Sequence, residues 1–190
     1  QRDAMSDEPT LAALGTRIEA FPSEVIEGGL ARYVTWQNGL LGAEEHAAQV
    51  FVEAPLCHPS VMLRRDVVVG LGGYRGGMFP EDYDLWLRLV RAGHAIRKLP
   101  EVFLRWRQRP GRLTFNDPRY SLENIRALRA EHLATRLEGE TRALVLWGAG
   151  PTGRRLARAL EHHGARFVRV VDIDPDKIGR VARGAPITSM

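Results

Sequence analysis

The chain has 190 residues, of which 44% are hydrophobic, a net charge of +4 and a single cysteine. This length suits either one core or one core plus a small second unit, and the lone Cys57 excludes an internal disulfide, as in the reducing cytoplasm. No stretch approaches the run of about 18 apolar residues that a membrane-spanning helix needs, and no signal sequence or nucleic-acid-binding basic run is recognisable. Arginine supplies nearly all the positive charge, which suits a phosphate-bearing ligand or an anionic membrane surface.

Hydrophobic periodicity predicts alternating strands and helices in the first part of the chain. In chain order these are a strand over 11–21, helices over 30–41 and 43–50, a short strand over 61–63, a helix over 80–93, a strand over 102–107 and a helix over 121–139. Alternation in the strand over 102–107 places Arg105 and Arg107 on one face, opposite Trp106.

The pattern changes after a polar linker over 138–142. An apolar strand over 143–147 leads into GAGPTG, a helix over 154–163 and a second apolar strand over 167–171. This is a Rossmann-like strand–helix–strand unit with a G-x-G-x-x-G turn formed by Gly148, Gly150 and Gly153. Backbone N–H groups there can cradle a diphosphate, and Asp172 is placed to accept from ribose hydroxyls, so the expected ligand is a dinucleotide or a nucleotide sugar. The alternative is that the glycines serve only the tight turn and helix packing.

Three carboxylates, Glu81, Asp82 and Asp84, open the helix over 80–93, directly after a glycine-rich loop. Acids at a helix N-terminus are favoured by the helix dipole at roughly 0.3–1 kcal/mol each, without any function. The functional alternative is a transferase site, in which one carboxylate is a general base and nearby arginines stabilise a phosphate leaving group. The residues alone leave both interpretations open.

A set of motifs in a fixed order favours the transferase site. The motifs are His58-Pro59-Ser60, Gly72-Gly73-Tyr74, EDYDLWLR over 81–88, LPEV over 99–102 and Arg105-Trp106-Arg107. Together they resemble the C-terminal half of family 2 glycosyltransferases of the GT-A fold, a bacterial-type enzyme class. The resemblance implies Asp82 as catalytic base with Glu81 as its neighbour. It further implies inverting transfer from a nucleotide-sugar donor to a hydroxyl of a glycan or lipid-linked acceptor, in cell-envelope or exopolysaccharide synthesis. The implied substrate-binding residues are His58, Gly72, Gly73, Asp84, Arg105 and Arg107.

A second resemblance concerns the end of the chain. The segment over 171–187 is similar to the small N-terminal domain of bacterial sugar acyltransferases, which recognises a nucleotide sugar rather than NAD. The family 2 resemblance also implies a donor-binding half with an Asp-x-Asp motif for a divalent metal, Mg or Mn. The two such strings here, Asp82-Tyr83-Asp84 and Asp172-Ile173-Asp174, stand in other contexts. We therefore predict no metal site in this chain and no turnover by the chain alone.

The expected fold class is α/β. We predict an acceptor-side part of a GT-A domain over 1–137, a linker over 138–142 and a truncated Rossmann-like nucleotide-binding domain over 143–190. The expected location is the cytoplasm, with peripheral association at the inner face of the membrane. Two other functions stay open: an oxidoreductase or nucleotide-binding module centred on GAGPTG, and a non-catalytic interaction domain.

Overall fold

A computed structural model describes all 190 residues, which divide into two compact units, Gln1–Ser121 (unit 1) and Leu122–Met190 (unit 2). Each unit has its own sheet, and eight α-helices accompany the seven strands. The predicted α/β class is confirmed. None of the helices has the length and apolar character required to cross a membrane.

Unit 1 contains six helices and three strands. They are α1 (Arg2–Asp7), β1 (Leu11–Phe21), α2 (Gly28–Gly39), α3 (Ala43–Gln49), β2 (Met62–Leu63), α4 (Arg65–Gly70), α5 (Glu81–Arg91), β3 (Ala95–Arg107) and α6 (Leu113–Asn116). The strand order is β2-β1-β3, with β1 antiparallel to β2 and parallel to β3. The first six residues of β1 are buried, as expected for the central strand of a sheet.

Helix α5 positions the acidic cluster. It follows Pro80 and is buried continuously from Tyr83 to Leu89, so its apolar residues lie in the core of unit 1. Its first turn carries all three predicted carboxylates, at the end that follows the glycine-rich loop. Two of its charged residues, Asp84 and Arg88, are buried, which requires that each charge find a partner or shift its pKa.

Unit 2 contains two helices and four strands. They are α7 (Leu122–Leu137), β4 (Leu144–Trp147), α8 (Pro151–Glu161), β5 (Phe167–Val171), β6 (Val181–Ala182) and β7 (Ala185–Thr188). The strand order is β4-β5-β7-β6, in which β4, β5 and β7 are parallel and β6 pairs antiparallel with β7. Ala157 of α8 packs with Leu146 and Val170 on one face of this sheet.

The structure differs from the expected organisation in two places. Helix α7, which we grouped with the first region, belongs to unit 2, because it packs against α8. The chain after Asp172 also adds the β6–β7 pair to the predicted strand–helix–strand unit. Both differences come from contacts that the local sequence pattern does not encode.

Candidate active site

The three acids at the start of α5 have different environments. Asp84 is fully buried, and its Oδ2 accepts from Arg88 Nε at 2.8 Å and from Arg75 Nε at 3.0 Å. The same Arg88 guanidinium donates to the carbonyls of Leu71 and Gly73 at 2.8 and 2.7 Å. Asp84 therefore fixes the glycine-rich loop to α5. This corrects its expected contact with substrate to a positioning role, because no ligand reaches a fully buried carboxylate.

Glu81 is half-buried and forms an ion pair with Arg119, whose Nη1 lies 3.2 Å from Oε2. Arg119 also binds Asp117 through Nη2 at 2.7 Å, and this hydrogen bonding lowers the pKa of Asp117. Glu81 thus brings a guanidinium to the mouth of α5. No local pattern predicts this partner, because Arg119 follows 38 residues later on a short 3-10 turn, Pro118–Tyr120.

Asp82 is the acid of the three that forms no ion pair. Its Oδ1 accepts the backbone N–H of Tyr83 at 2.8 Å. Burial raises the pKa of Asp82, while the nearby His58 and the Tyr83 amide favour the ionised form. A half-buried carboxylate without a cation, and with a raised pKa, has the properties of a general base.

Four weakly acidic side chains surround Asp82. Burial raises the pKa of Tyr33, Cys57, Tyr74 and Tyr120, and the charge of Asp82 adds to the increase in each case. The pKa reaches about 12 for both Cys57 and Tyr120, so the thiol is not a nucleophile near neutral pH. The tyrosines keep their protons and are hydrogen-bond donors or acceptors for a polar ligand.

His58 lies beside the acidic cluster, and its expected role in substrate binding stays a prediction. Its Nε2 is 2.7 Å from the hydroxyl of Tyr74, and its ring meets the ring of Trp86 edge-on at a centroid distance of 5.9 Å. These two contacts hold a half-buried imidazole within electrostatic reach of Asp82. Trp86 itself is fully buried.

Arg105 and Arg107 do not join this cluster, which corrects the expectation for both residues. Arg105 is 67% exposed, pairs with Glu19 at 3.2 Å and covers the ring of Phe21 at 4.7 Å. Arg107 is also exposed, two positions along the same strand. Strand alternation separates them from Trp106, which is the residue of this segment that faces the Asp82 region.

Trp106 instead identifies the arginine that belongs to the site. Arg112 stacks on the Trp106 ring, with its guanidinium carbon 4.0 Å from the ring centroid. The Trp106 ring also contacts the ring of Tyr33, at a centroid distance of 6.4 Å. Burial lowers the pKa of Arg112, while Cys57, Tyr33 and Tyr120 oppose this shift. The same three side chains interact with the charge of Asp82, so Arg112 lies in the same cluster. Sequence reasoning missed it because only the fold brings α6 and its N-terminus to this place.

Gly72 and Gly73 form the C-terminal cap of α4. Both have positive φ, +85° and +69°, and their N–H groups bind the carbonyls of Val69 and Val68 at 2.9 and 2.8 Å. Glycine is needed there for the left-handed backbone. Their expected role as substrate contacts stays a prediction, beside this structural role.

The predicted nucleotide loop of unit 2 is formed as a tight turn. Gly148 has φ +101°, and a Cβ at Gly153 would lie 2.1 Å from the Gly148 carbonyl oxygen. Asp172 accepts from the backbone N–H of Ala149 at 2.6 Å and faces Lys177 Nζ at 3.6 Å. The backbone N–H of Asp174 also donates to Asp172, at 2.9 Å, and this hydrogen bond and the one from Ala149 lower the pKa of Asp172. Its carboxylate thus closes the loop, which corrects its expected role as a free ribose acceptor in this conformation. Gly150 differs from Gly153, because a Cβ there meets no atom within 4 Å.

No group of three or more His, Cys, Asp or Glu side chains in the chain is arranged to hold a metal ion. At the first turn of α5, Asp84 and Glu81 form ion pairs with arginines, so their carboxylates are not available to a metal ion. The residues present do not fit the divalent metal expected for an intact enzyme, and no step below involves one.

Comparison with known proteins covers part of the chain. It is 40% identical over 53 residues to the amylovoran biosynthesis glycosyltransferase AmsE of Erwinia amylovora, 28% of this chain and 20% of that protein. It is 44% identical over 52 residues to the O-antigen biosynthesis glycosyltransferase WbnJ of Escherichia coli, 26% of this chain and 20% of that protein. Part of the chain is related to glycosyltransferases.

A third match, 30% identical over 95 residues, is to an uncharacterized glycosyltransferase of Haemophilus influenzae and covers 46% of this chain and 35% of that protein. The chain thus spans between 20% and 35% of the length of these curated relatives. No protein-family model and no solved structure matches the chain.

Proposed function

We propose that unit 1 is the acceptor side of an inverting glycosyltransferase of the family 2, GT-A type, with Asp82 as the catalytic base. One observation carries this proposal: among three adjacent acids, Asp82 alone has no cation, and burial raises its pKa. The relationship to glycosyltransferases supplies the reaction class.

The proposed reaction is a direct displacement with Asp82 as the base. The acceptor hydroxyl gives its proton to the Asp82 carboxylate while its oxygen attacks the anomeric carbon of the donor sugar. The bond from that carbon to the nucleoside diphosphate breaks, and the diphosphate leaves with the electron pair. A base whose pKa is raised toward the working pH makes this proton transfer more favourable. The protonated hydroxyls of Tyr74 and Tyr120 are available to orient the acceptor.

Charge on the leaving diphosphate requires cations. In place of Arg105 and Arg107, we assign this role to Arg112 and Arg119. Arg119 is held by Glu81 and Asp117, and Arg112 is held on the Trp106 ring, so both guanidiniums are pre-organised. Pre-organised donors aimed at developing charge are a major source of catalysis.

The relatives are named for amylovoran and O-antigen synthesis, which favours a polysaccharide or lipid-linked glycan as acceptor and a nucleotide sugar as donor. Because the chain covers at most 35% of those proteins, we propose these substrates for the full-length gene product rather than for this chain by itself.

The test compares two Asp→Asn variants in the full-length gene product. Asp82→Asn should reduce glycosyl transfer by about 100-fold or more while nucleotide-sugar binding is retained. Asp66→Asn is the matched control, because Asp66 also lies in the first turn of a helix but is exposed. Transfer that survives in the Asp82→Asn variant would reduce the acids to helix capping.

A second candidate function is nucleotide or dinucleotide binding by unit 2. The open space at the Gly150 Cβ position, at the N-terminus of α8, favours it. Gly150→Ala would fill that space without disturbing the turn, so it should weaken NAD(H) or nucleotide-sugar binding measured by calorimetry. Unchanged binding by this variant would refute this function, and indifference to both the Asp82 and Gly150 substitutions would favour a non-catalytic interaction domain.

A further inference from the structure

A basic groove lies in unit 2, away from the glycine-rich turn that opens α8. It is a cavity of about 690 Å³, lined by the first two turns of α7 and by α8 with the two residues that follow it. Ala127 and Ala159 line it with small side chains, which leaves room between the helices. A concave space of this size suits a small ligand rather than a flat surface partner.

The groove is strongly positive. Its basic lining residues are Arg126, Arg155, Arg158, His162 and His163. None of these five forms an ion pair. Glu123 is the one carboxylate that lines the groove, and it forms no ion pair either. Glu161 precedes His162 in the sequence, but its negative charge is neutralised by an ion pair with Arg183.

Unpaired arginines on two facing helices indicate a phosphate-binding site. A guanidinium fork matches the oxygens of a phosphoryl group, and three forks exceed what a single carboxylate ligand can use. The groove also includes the first turn of α7, where the positive end of the helix dipole adds to the attraction of an anion.

We propose that this groove binds a soluble ligand that carries a diphosphate, at a site separate from the GAGPTG turn. Arg155 and Arg158 on α8 and Arg126 on α7 hold the phosphoryl oxygens, and His162 and His163 complete the basic lining. The proposal does not depend on the glycosyltransferase assignment of unit 1, since all its residues belong to unit 2.

The experiment titrates the full 190-residue chain with inorganic pyrophosphate by calorimetry. We expect saturable binding that Arg155→Gln and Arg158→Gln each weaken by about tenfold or more. Arg169→Gln is the matched control, because Arg169 is an exposed arginine of β5 that does not line the groove, and it should leave the affinity unchanged.

Four results would overturn the proposal. Absence of saturable binding would do so directly. Equal weakening by Arg169→Gln would show only non-specific attraction to a basic protein. Loss of binding in Gly150→Ala with retention in both α8 arginine variants would place the anion at the glycine turn instead. A parallel arm with phosphatidylglycerol vesicles tests the remaining source: vesicle binding that the arginine variants abolish, without pyrophosphate binding, would assign the groove to a membrane surface and refute the soluble ligand.

Discussion

Asp82 and Asp84 stand two positions apart, yet their substitution by Asn should change the stability of the fold in opposite directions. Asp84 is fully buried between Arg88 and Arg75. Removing one partner of a buried ion pair costs about 3–5 kcal/mol, because a buried charge is left without compensation. With a urea dependence of about 2 kcal/mol per M, the unfolding midpoint of Asp84→Asn should fall by roughly 1.5–2.5 M.

Substitution of Asp82 should instead increase the free energy of unfolding at neutral pH. Its folded-state pKa is raised above the ordinary value of 3.8, so above that pH the folded protein holds a proton that the unfolded chain has lost. The free energy of unfolding therefore decreases as the pH rises from 3.8 through the raised pKa, and the ionised carboxylate destabilises the fold at neutral pH. Asn carries no charge to bury. Asp82→Asn should therefore unfold at a higher urea concentration than the parent at pH 7, and this advantage should shrink toward pH 4.

The assay is urea unfolding of the chain followed by circular dichroism at both pH values, with Asp66→Asn as control. That exposed acid should change stability by no more than about 0.5 kcal/mol. The reasoning fails if Asp82→Asn destabilises as much as Asp84→Asn, because both acids would then be structural. It also fails if Asp84→Asn leaves the midpoint where it is in the parent.

Three further outcomes concern other buried positions. Burial lowers the pKa of His46 from 6.5 to about 4, so the unfolded chain binds its proton first and stability should fall by about 3 kcal/mol between pH 6.5 and 4; His46→Gln should flatten this part of a pH series of urea midpoints. Burial also lowers the pKa of Lys98 to about 7, so stability should rise with pH above 7, and Lys98→Met should abolish that rise in the same series. Gly153→Ala should destabilise unit 2 by about 1–3 kcal/mol or more through its clash with the Gly148 carbonyl, whereas Gly150→Ala should leave the thermal midpoint unchanged. Equal midpoints for the two alanine variants would contradict the geometry of the turn.

Hydrophobic periodicity predicted the helices and strands well where a segment followed a single helical or strand period. The strands over Leu11–Phe21 and Phe167–Val171 have the predicted bounds, and the helix between Pro80 and Gly93 forms as Glu81–Arg91. Five short elements were missed: α1, α4, α6, β6 and β7 hold between two and six residues each, too few for a period to show. Their positions depend on contacts with distant parts of the chain.

The candidate site shows the same limit in its side chains. The order of the acids is visible in the sequence, but which acid is paired is not, because Arg119 and Arg112 approach from beyond β3. Strand alternation separated Arg105 from Trp106 correctly. It does not say which face of the strand lies toward Asp82, and it is Trp106 that contacts Arg112 and Tyr33.

The pairing of β1 with β3 also determines how the two units acquire their structure. Leu11 lies opposite Ala95, so the sheet of unit 1 forms only after a loop of 95 − 11 = 84 residues has closed. In unit 2, β4 and β5 are joined by one helix, and Leu144 meets Phe167 across 167 − 144 = 23 residues. Contacts between residues closer in sequence form faster, so unit 2 should fold first although it is synthesised last.

The tryptophans make this order measurable. Trp147 is the one tryptophan of unit 2 and is 66% exposed, whereas Trp86 is buried in unit 1 beside the acidic cluster. In stopped-flow refolding of the Trp147→Phe variant, the fluorescence change should be slow. A variant that keeps only Trp147 should report a faster phase. Identical rates from the two reporters would mean that the long loop of unit 1 does not control the folding of the chain.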